Sequence, residues 1–110
     1  MLLDLKNIEV TEVPNMLGGD GTTLLNRYMD DAGKIMFATL KPGCSIGMHT
    51  HSTSYEVCYC LSGNAKFVNG DGSEERMAPG LVHYCPFGQA HTCINDTDKD
   101  YVMYCVVANK

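Results

Sequence analysis

Apolar and polar side chains alternate along this chain in short runs, broken by Gly, Pro, Asn and Asp, and no helical periodicity follows the first few residues. The runs predict about ten strands, at residues 8–13, 22–29, 34–40, 46–51, 56–61, 65–69, 73–77, 81–85, 90–94 and 101–108. The first is an edge strand stopped by Pro14. Between the second and third, Asp30-Asp31-Ala32-Gly33 is hairpin chemistry. Asn69-Gly70-Asp71-Gly72, Pro79-Gly80, Pro86-Phe87-Gly88 and 95–100 supply later turns. Many short strands at near-regular spacing predict an all-β antiparallel sandwich or barrel.

Two strands depart from simple alternation. In 55–61, Val57, Tyr59 and Leu61 point to one face while Glu56, Cys58 and Cys60 point to the other. The run 101–107 is also apolar on both faces. Such strands need a second layer outside the barrel, either the N-terminal segment or another subunit, so a homodimer is expected.

The chain has 110 residues, room for one core and one domain. Net charge is −5, with 8 Lys and Arg against 13 Asp and Glu, and no basic run is present. Nucleic acid and anionic membranes are therefore poor partners. Every apolar run is far shorter than the roughly 20 residues of a membrane span, and Asp4 and Lys6 interrupt the N-terminus before a secretory core can form. Six cysteines are scattered singly or alternate within an apolar run. They read as free, buried thiols in a cytoplasmic protein, which also leaves the sequon Asn95-Asp96-Thr97 unglycosylated.

Three of the four histidines and one glutamate fall in one patterned region. His49 and His51, two apart on a strand, project from the same face within reach of one ion. Glu56 would lie on the opposite face of a continuous strand, so Ser52-Thr53-Ser54 must turn or bulge. His91 enters from a separate strand. Three imidazoles and a carboxylate suit one divalent transition metal per chain: Zn, Mn, Fe, Ni or Co, with Cu also compatible.

The spacing G-x5-H-x-H-x4-E-x6-G from Gly43 to Gly63, then G-x5-P-x-G-x2-H-x3-N from Gly80 to Asn95, resembles the two cupin motifs in order. The loop Gly18-Gly19-Asp20-Gly21 with Leu24-Leu25-Asn26-Arg27 is similar to the start of many small bacterial members. The resemblance implies a double-stranded β-helix, or jelly-roll barrel, with a metal held inside by His49, His51, Glu56 and His91, and often a dimer. Residues 1–110 would be a single cupin domain, with 1–33 as edge strands and dimer arm and 34–108 as barrel core.

Around the ligands, Arg27, Cys58, Cys60, Cys93 and Tyr55 are candidate pocket-lining residues. Arg27 could clamp a substrate carboxylate, and the cysteines would form an apolar floor. Tyr84, Tyr101 and Tyr104 offer further phenols. His83 lies outside the motifs and reads as a wall or surface histidine. Gly18–Gly21 lacks the following Lys-Ser or Lys-Thr of a phosphate loop, and Asp96, Asp98 and Asp100 lack the rest of a calcium loop. Catalytic residues beyond the ligands are unknown. The site suits a metal-dependent enzyme (lyase or decarboxylase, dioxygenase or isomerase) acting on a small polar molecule such as a carboxylate or polyol. The alternative is a non-catalytic small-molecule or metal-binding, sensing module.

Overall fold

The computed structural model describes all 110 residues and contains ten strands with two one-turn 3₁₀ helices, Leu5–Asn7 and Met16–Gly18. The strands are β1 Thr11–Pro14, β2 Thr22–Asp30, β3 Gly33–Leu40, β4 Ser45–Thr50, β5 Ser54–Ser62, β6 Ala65–Asn69, β7 Glu74–Met77, β8 Val82–Cys85, β9 Ala90–Ile94 and β10 Tyr101–Asn109. All pairings are antiparallel. They form a six-stranded sheet, β1-β2-β3-β10-β5-β8, and a four-stranded sheet, β4-β9-β6-β7. This is an antiparallel barrel, as the alternation predicts, in the jelly-roll arrangement that the cupin resemblance implies. No helix is long and apolar enough to cross a membrane.

The first predicted strand is shortened. Ile8 N–H donates to Leu5 O, closing a 3₁₀ turn, and strand pairing starts only at Thr11. Tertiary packing overrides the local alternation here: Leu5 is buried, and the outward-facing Asn26 of β2 binds Ile8 O through Nδ2 at 2.8 Å. Pro14 ends β1 at the sheet edge, where a missing N–H is tolerated.

The hairpin at 30–33 forms as expected, with Asp30 opposite Gly33 and Asp30 Oδ1 accepting Ala32 N–H at 2.8 Å. Gly33 has φ +146°, and a Cβ there would strike Val107 O of the neighbouring β10. Only glycine allows the hairpin to lie this close to β10. The expected division at residue 34 between arm and barrel core falls inside one sheet, because β2 pairs along all of β3 and buries Thr23 and Leu25.

The core is a cluster of fifteen buried side chains. Register sorts the inward face of the large sheet into rows. Leu25, Ala38, Met103 and Cys60 form one row, and Arg27, Met36, Cys105, Cys58 and His83 form the next. Met29, Lys34, Val107, Glu56 and Cys85 form the last, where Met29 and Lys34 are exposed and the barrel opens. Sulfur therefore fills the middle of the barrel, and polar chemistry sits at one end.

All six cysteines are free thiols. Cys58, Cys60, Cys93 and Cys105 belong to the core, filling space as small apolar groups do.

Candidate metal centre

The site is built where β4 and β9 of the small sheet face β5 of the large one. His49 and His91 are directly opposed across β4 and β9. A register irregularity between Ile46 and His49 re-aims the ring at this point. Gly47 lies inside the bulge. A Cβ there would collide with Leu17 O, so the 3₁₀ turn at 16–18 can pack against β4 only because residue 47 is glycine. The chain then leaves the small sheet after Thr50, bends at Ser52 and Thr53, and re-enters the large sheet at Ser54. This bend resolves the parity conflict between His51 and Glu56. The two residues face each other across the barrel interior from different sheets.

The four donor atoms lie within 4.8 Å of one another. His91 Nε2 is 3.1 Å from both His49 Nε2 and His51 Nε2. Glu56 Oε1 is 2.9 Å from His91 Nε2 and 3.2 Å from His51 Nε2. The opposite ring nitrogens are all engaged elsewhere. His49 Nδ1 donates to Gly47 O at 2.7 Å, His51 Nδ1 meets Ser54 Oγ at 2.9 Å, and His91 Nδ1 meets His83 Nε2 at 2.9 Å.

Three Nε2 atoms and a carboxylate oxygen thus converge on one point, an arrangement of electron pairs that a cation stabilises. Donors about 2.1 Å from a common ion are about 3.0 Å apart at right angles and about 3.4 Å apart in a tetrahedron. Four of the six donor pairs lie 2.9–3.2 Å apart and all lie within 4.8 Å, spacings that one shared ion could span. The residues therefore fit a resident transition metal.

Electrostatics agree. Burial alone would raise the Glu56 carboxyl, but the facing His51 and His91 imidazoles outweigh it and bring the value down to about 2. Glu56 is accordingly an anion at neutral pH. Burial, together with the neighbouring imidazoles, also pulls His49 below the usual histidine range, keeping its ring neutral and able to coordinate.

Of the pocket candidates, Cys58, Cys60 and Cys93 are fully buried in the sulfur-rich floor. Burial raises the Cys60 and Cys93 thiols, and a hydrogen bond with Cys105 followed by burial raises Cys58, so all three are inert wall groups. Arg27 shares the inward row of Met36, Cys105 and Cys58, one row below Glu56, and is half-buried. Tyr55 does not line the site. Its neighbour Glu56 points inward, so Tyr55 points out, where it is exposed and packs edge-on to Tyr84 with ring centroids 6.1 Å apart. Tyr104 also faces outward, against Phe37, and Tyr101 is buried in the row beyond Leu25.

His83 is a wall residue rather than a surface one, only 1% exposed. It stacks on Phe67 with centroids 3.8 Å apart and an 11° interplanar angle. Its Nδ1 donates to Glu75 Oε1 at 2.8 Å. Burial lowers the His83 pKa against the opposing pull of Glu75, while hydrogen bonds from His83 and then Asn69 keep Glu75 ionised. Residues 75, 83 and 91 come from β7, β8 and β9 across both sheets, so their spacing carried no signal. Only the inward parity of β8 could have pointed to His83.

Asn95, the last motif residue, is not in the metal site. It is fully buried, and its side chain donates to Leu40 O and Lys99 O, both at 2.8 Å, and accepts from Thr97 N at 3.0 Å and Thr97 Oγ1 at 2.7 Å. Its backbone joins the two motifs, through Gly43 N to Asn95 O at 2.9 Å and Asn95 N to Cys44 O at 3.0 Å. With its amide enclosed and engaged, Asn95 cannot serve as a glycan acceptor in the folded chain.

Fold and site together define a small β-helix barrel with a three-histidine, one-glutamate group at its open end. Residues 36–107 match the cupin domain family, and the chain belongs to it. A Thermotoga maritima protein described as an oxalate-binding protein is 27% identical, aligned over 97% of this chain and 93% of the relative. A crystal structure of a predicted oxalate decarboxylase from Thermotoga maritima superposes with a TM-score of 0.91 at 24% identity, covering both chains completely. A cupin-superfamily sugar phosphate isomerase from Silicibacter pomeroyi shares the fold at TM-score 0.76 and 22% identity, matching all of this chain and 76% of that one.

Proposed function

We propose that this protein holds one divalent transition metal on His49, His51, Glu56 and His91, and uses it to bind a small dicarboxylate of the oxalate class. The convergence of three histidine nitrogens and a Glu56 oxygen within 4.8 Å of one another carries this reading. A six-coordinate ion with four protein ligands retains two positions, the number that a chelating dicarboxylate fills. When bound, such an ion supplies a Lewis-acidic centre for carboxylate or carbonyl oxygens. Arg27 and Lys34 lie on the inward face of β2 and β3, and their charges suit the carboxylate oxygens that chelation would leave free. The oxalate-binding description of the Thermotoga relative is consistent with this chemistry.

Binding is favoured over turnover because the acidic and imidazole groups of the centre are already committed. Each Nε2 faces the ligand point, each Nδ1 has a partner, and Glu56 lies between two imidazoles. Calorimetric titration of oxalate into metal-loaded protein should show one site per chain, abolished by chelator and weakened by Arg27→Ala. Formation of formate and CO₂ from oxalate would restore the enzymatic reading. Absence of both binding and turnover with Mn, Fe, Ni, Co and Zn would reject the proposal.

We also propose a homodimer in the cytoplasm. The outer face of the large sheet carries Tyr59 at 40% exposure and Val82 and Tyr84 at 56%, beside exposed Tyr55 and Leu61. So contiguous an apolar surface supports association, and six free thiols support a reducing compartment. A monomer at micromolar concentration in sedimentation analysis would count against the dimer.

A further inference from the structure

We infer that Glu75 and His83 are positioning residues that hold His91 in the one tautomer able to ligate, forming an inner support that runs from the protein surface to the metal centre. The inference rests on the metal-binding reading above and assigns two residues that are not defining positions of either cupin motif.

Hydrogen-bond logic fixes the chain's direction. An ionised carboxylate only accepts, so the hydrogen between Glu75 Oε1 and His83 Nδ1, 2.8 Å apart, resides on His83. A neutral imidazole has one N–H, so His83 Nε2 bears a lone pair. The 2.9 Å contact from this atom to His91 Nδ1 then places the His91 hydrogen on Nδ1. With Nδ1 holding that hydrogen, His91 Nε2 is the ligating nitrogen, 2.9–3.1 Å from His49 Nε2, His51 Nε2 and Glu56 Oε1; a hydrogen it donates to the Glu56 carboxylate in the metal-free chain leaves when an ion binds. The opposite tautomer would set the lone pairs of His83 Nε2 and His91 Nδ1 against each other.

The chain is also mechanically fixed. His83 is 1% exposed and lies flat on Phe67, whose ring also stacks on His91 with centroids 5.4 Å apart. Neither imidazole can turn without breaking the stack. Glu75, on the edge strand β7, is itself held by Asn69 Nδ2 at 2.8 Å and borders a cleft lined by Asn69, Asp71, Tyr84 and Gln89. His49 and His51 have simpler supports, a backbone carbonyl and a serine hydroxyl. Supporting partners of this kind are worth about 10–100-fold in metal affinity.

The test reads the tautomer before any metal is added. Long-range ¹H–¹⁵N NMR of metal-free wild type should show a hydrogen on His91 Nδ1. His83→Phe keeps the stacking surface but removes the acceptor. It should mix the His91 tautomers and weaken Zn²⁺ and Mn²⁺ binding, measured by chelator competition, about 10–100-fold. His83→Gln, whose amide can accept from His91 and donate to Glu75, should restore the Nδ1–H form and most of the affinity. If His83→Phe does not fold, Glu75→Ala tests the same chain from its half-exposed end and should move both readouts in the same direction. Unchanged tautomer and affinity in a folded His83→Phe, or in Glu75→Ala where that variant must stand in, overturns the inference. A tautomer that responds to these variants in a wild-type protein binding neither ion would instead refute the metal reading and leave the positioning role standing.

Discussion

Replacing Asn95 by alanine removes four side-chain hydrogen bonds from a position with no access to water: two donated to Leu40 O and Lys99 O, two accepted from Thr97. A net hydrogen bond contributes about 0.5–1.5 kcal/mol, and a buried group left unpaired costs about 1–3 kcal/mol. Thr97 and Lys99 lie in an exposed loop where water can replace the lost partner, whereas the Leu40 bond is fully buried. The expected loss is therefore about 2–4 kcal/mol, dominated by Leu40 O.

Urea unfolding monitored by circular dichroism measures this directly, as a lower midpoint at unchanged slope. Thr97→Ala, which removes only the partly exposed pair, should cost about 1 kcal/mol. Metal stoichiometry should stay at one per chain in both variants, because Asn95 braces the turn at Gly43 and touches no ligand. An Asn95→Ala protein within about 0.5 kcal/mol of wild type, or no less stable than Thr97→Ala, would refute the assignment of this motif residue to structure.

Elemental analysis of protein purified without chelator should find close to one transition metal per chain, and His91→Ala should largely remove it. The cooperative melt should survive, since a core of fifteen buried side chains does not depend on the ion; unfolding would make the metal structural. For metal-free protein, Glu56 is held below its usual 4.5, at about 2. Its ionisation thus stabilises the fold above pH 4.5, and that contribution is lost as pH falls toward 2. Glu56→Gln should flatten stability across that window in acid titrations; an unchanged profile would reject the ion pairing. Alkylation of native protein followed by mass spectrometry should label Cys44 alone, the one thiol that is not buried, with all six reacting in denaturant. Rapid native labelling of Cys58 or Cys105 would contradict their place in the core.

Strand number and order of elements were legible because a two-residue period and turn residues act locally. Each of the ten predicted strands has a counterpart, and the four candidate ligands could be named from their spacing and its resemblance to the cupin motifs. The conflict of parity between His51 and Glu56 even revealed that the chain must bend between them. It could not reveal that the bend carries the chain from one sheet to the other, since strand pairing brings together residues far apart in sequence.

The failures share that cause. Alternation extended the first strand back to Ile8, whereas burial of Leu5 and the Asn26 hydrogen bond hold those residues in a turn. Tyr55 is a pocket candidate by residue type, a phenol that a substrate could meet, yet its neighbour Glu56 faces inward and adjacent strand residues face opposite ways. By itself the sequence determined a β barrel and a candidate donor set of three histidines and one glutamate, through local periodicity and donor chemistry. Only the tertiary structure decided that Asn95 clamps the two motifs together and that Glu75 and His83 stand behind His91. Those contacts join β7, β8 and β9 across two sheets, and no local pattern constrains where separate strands meet.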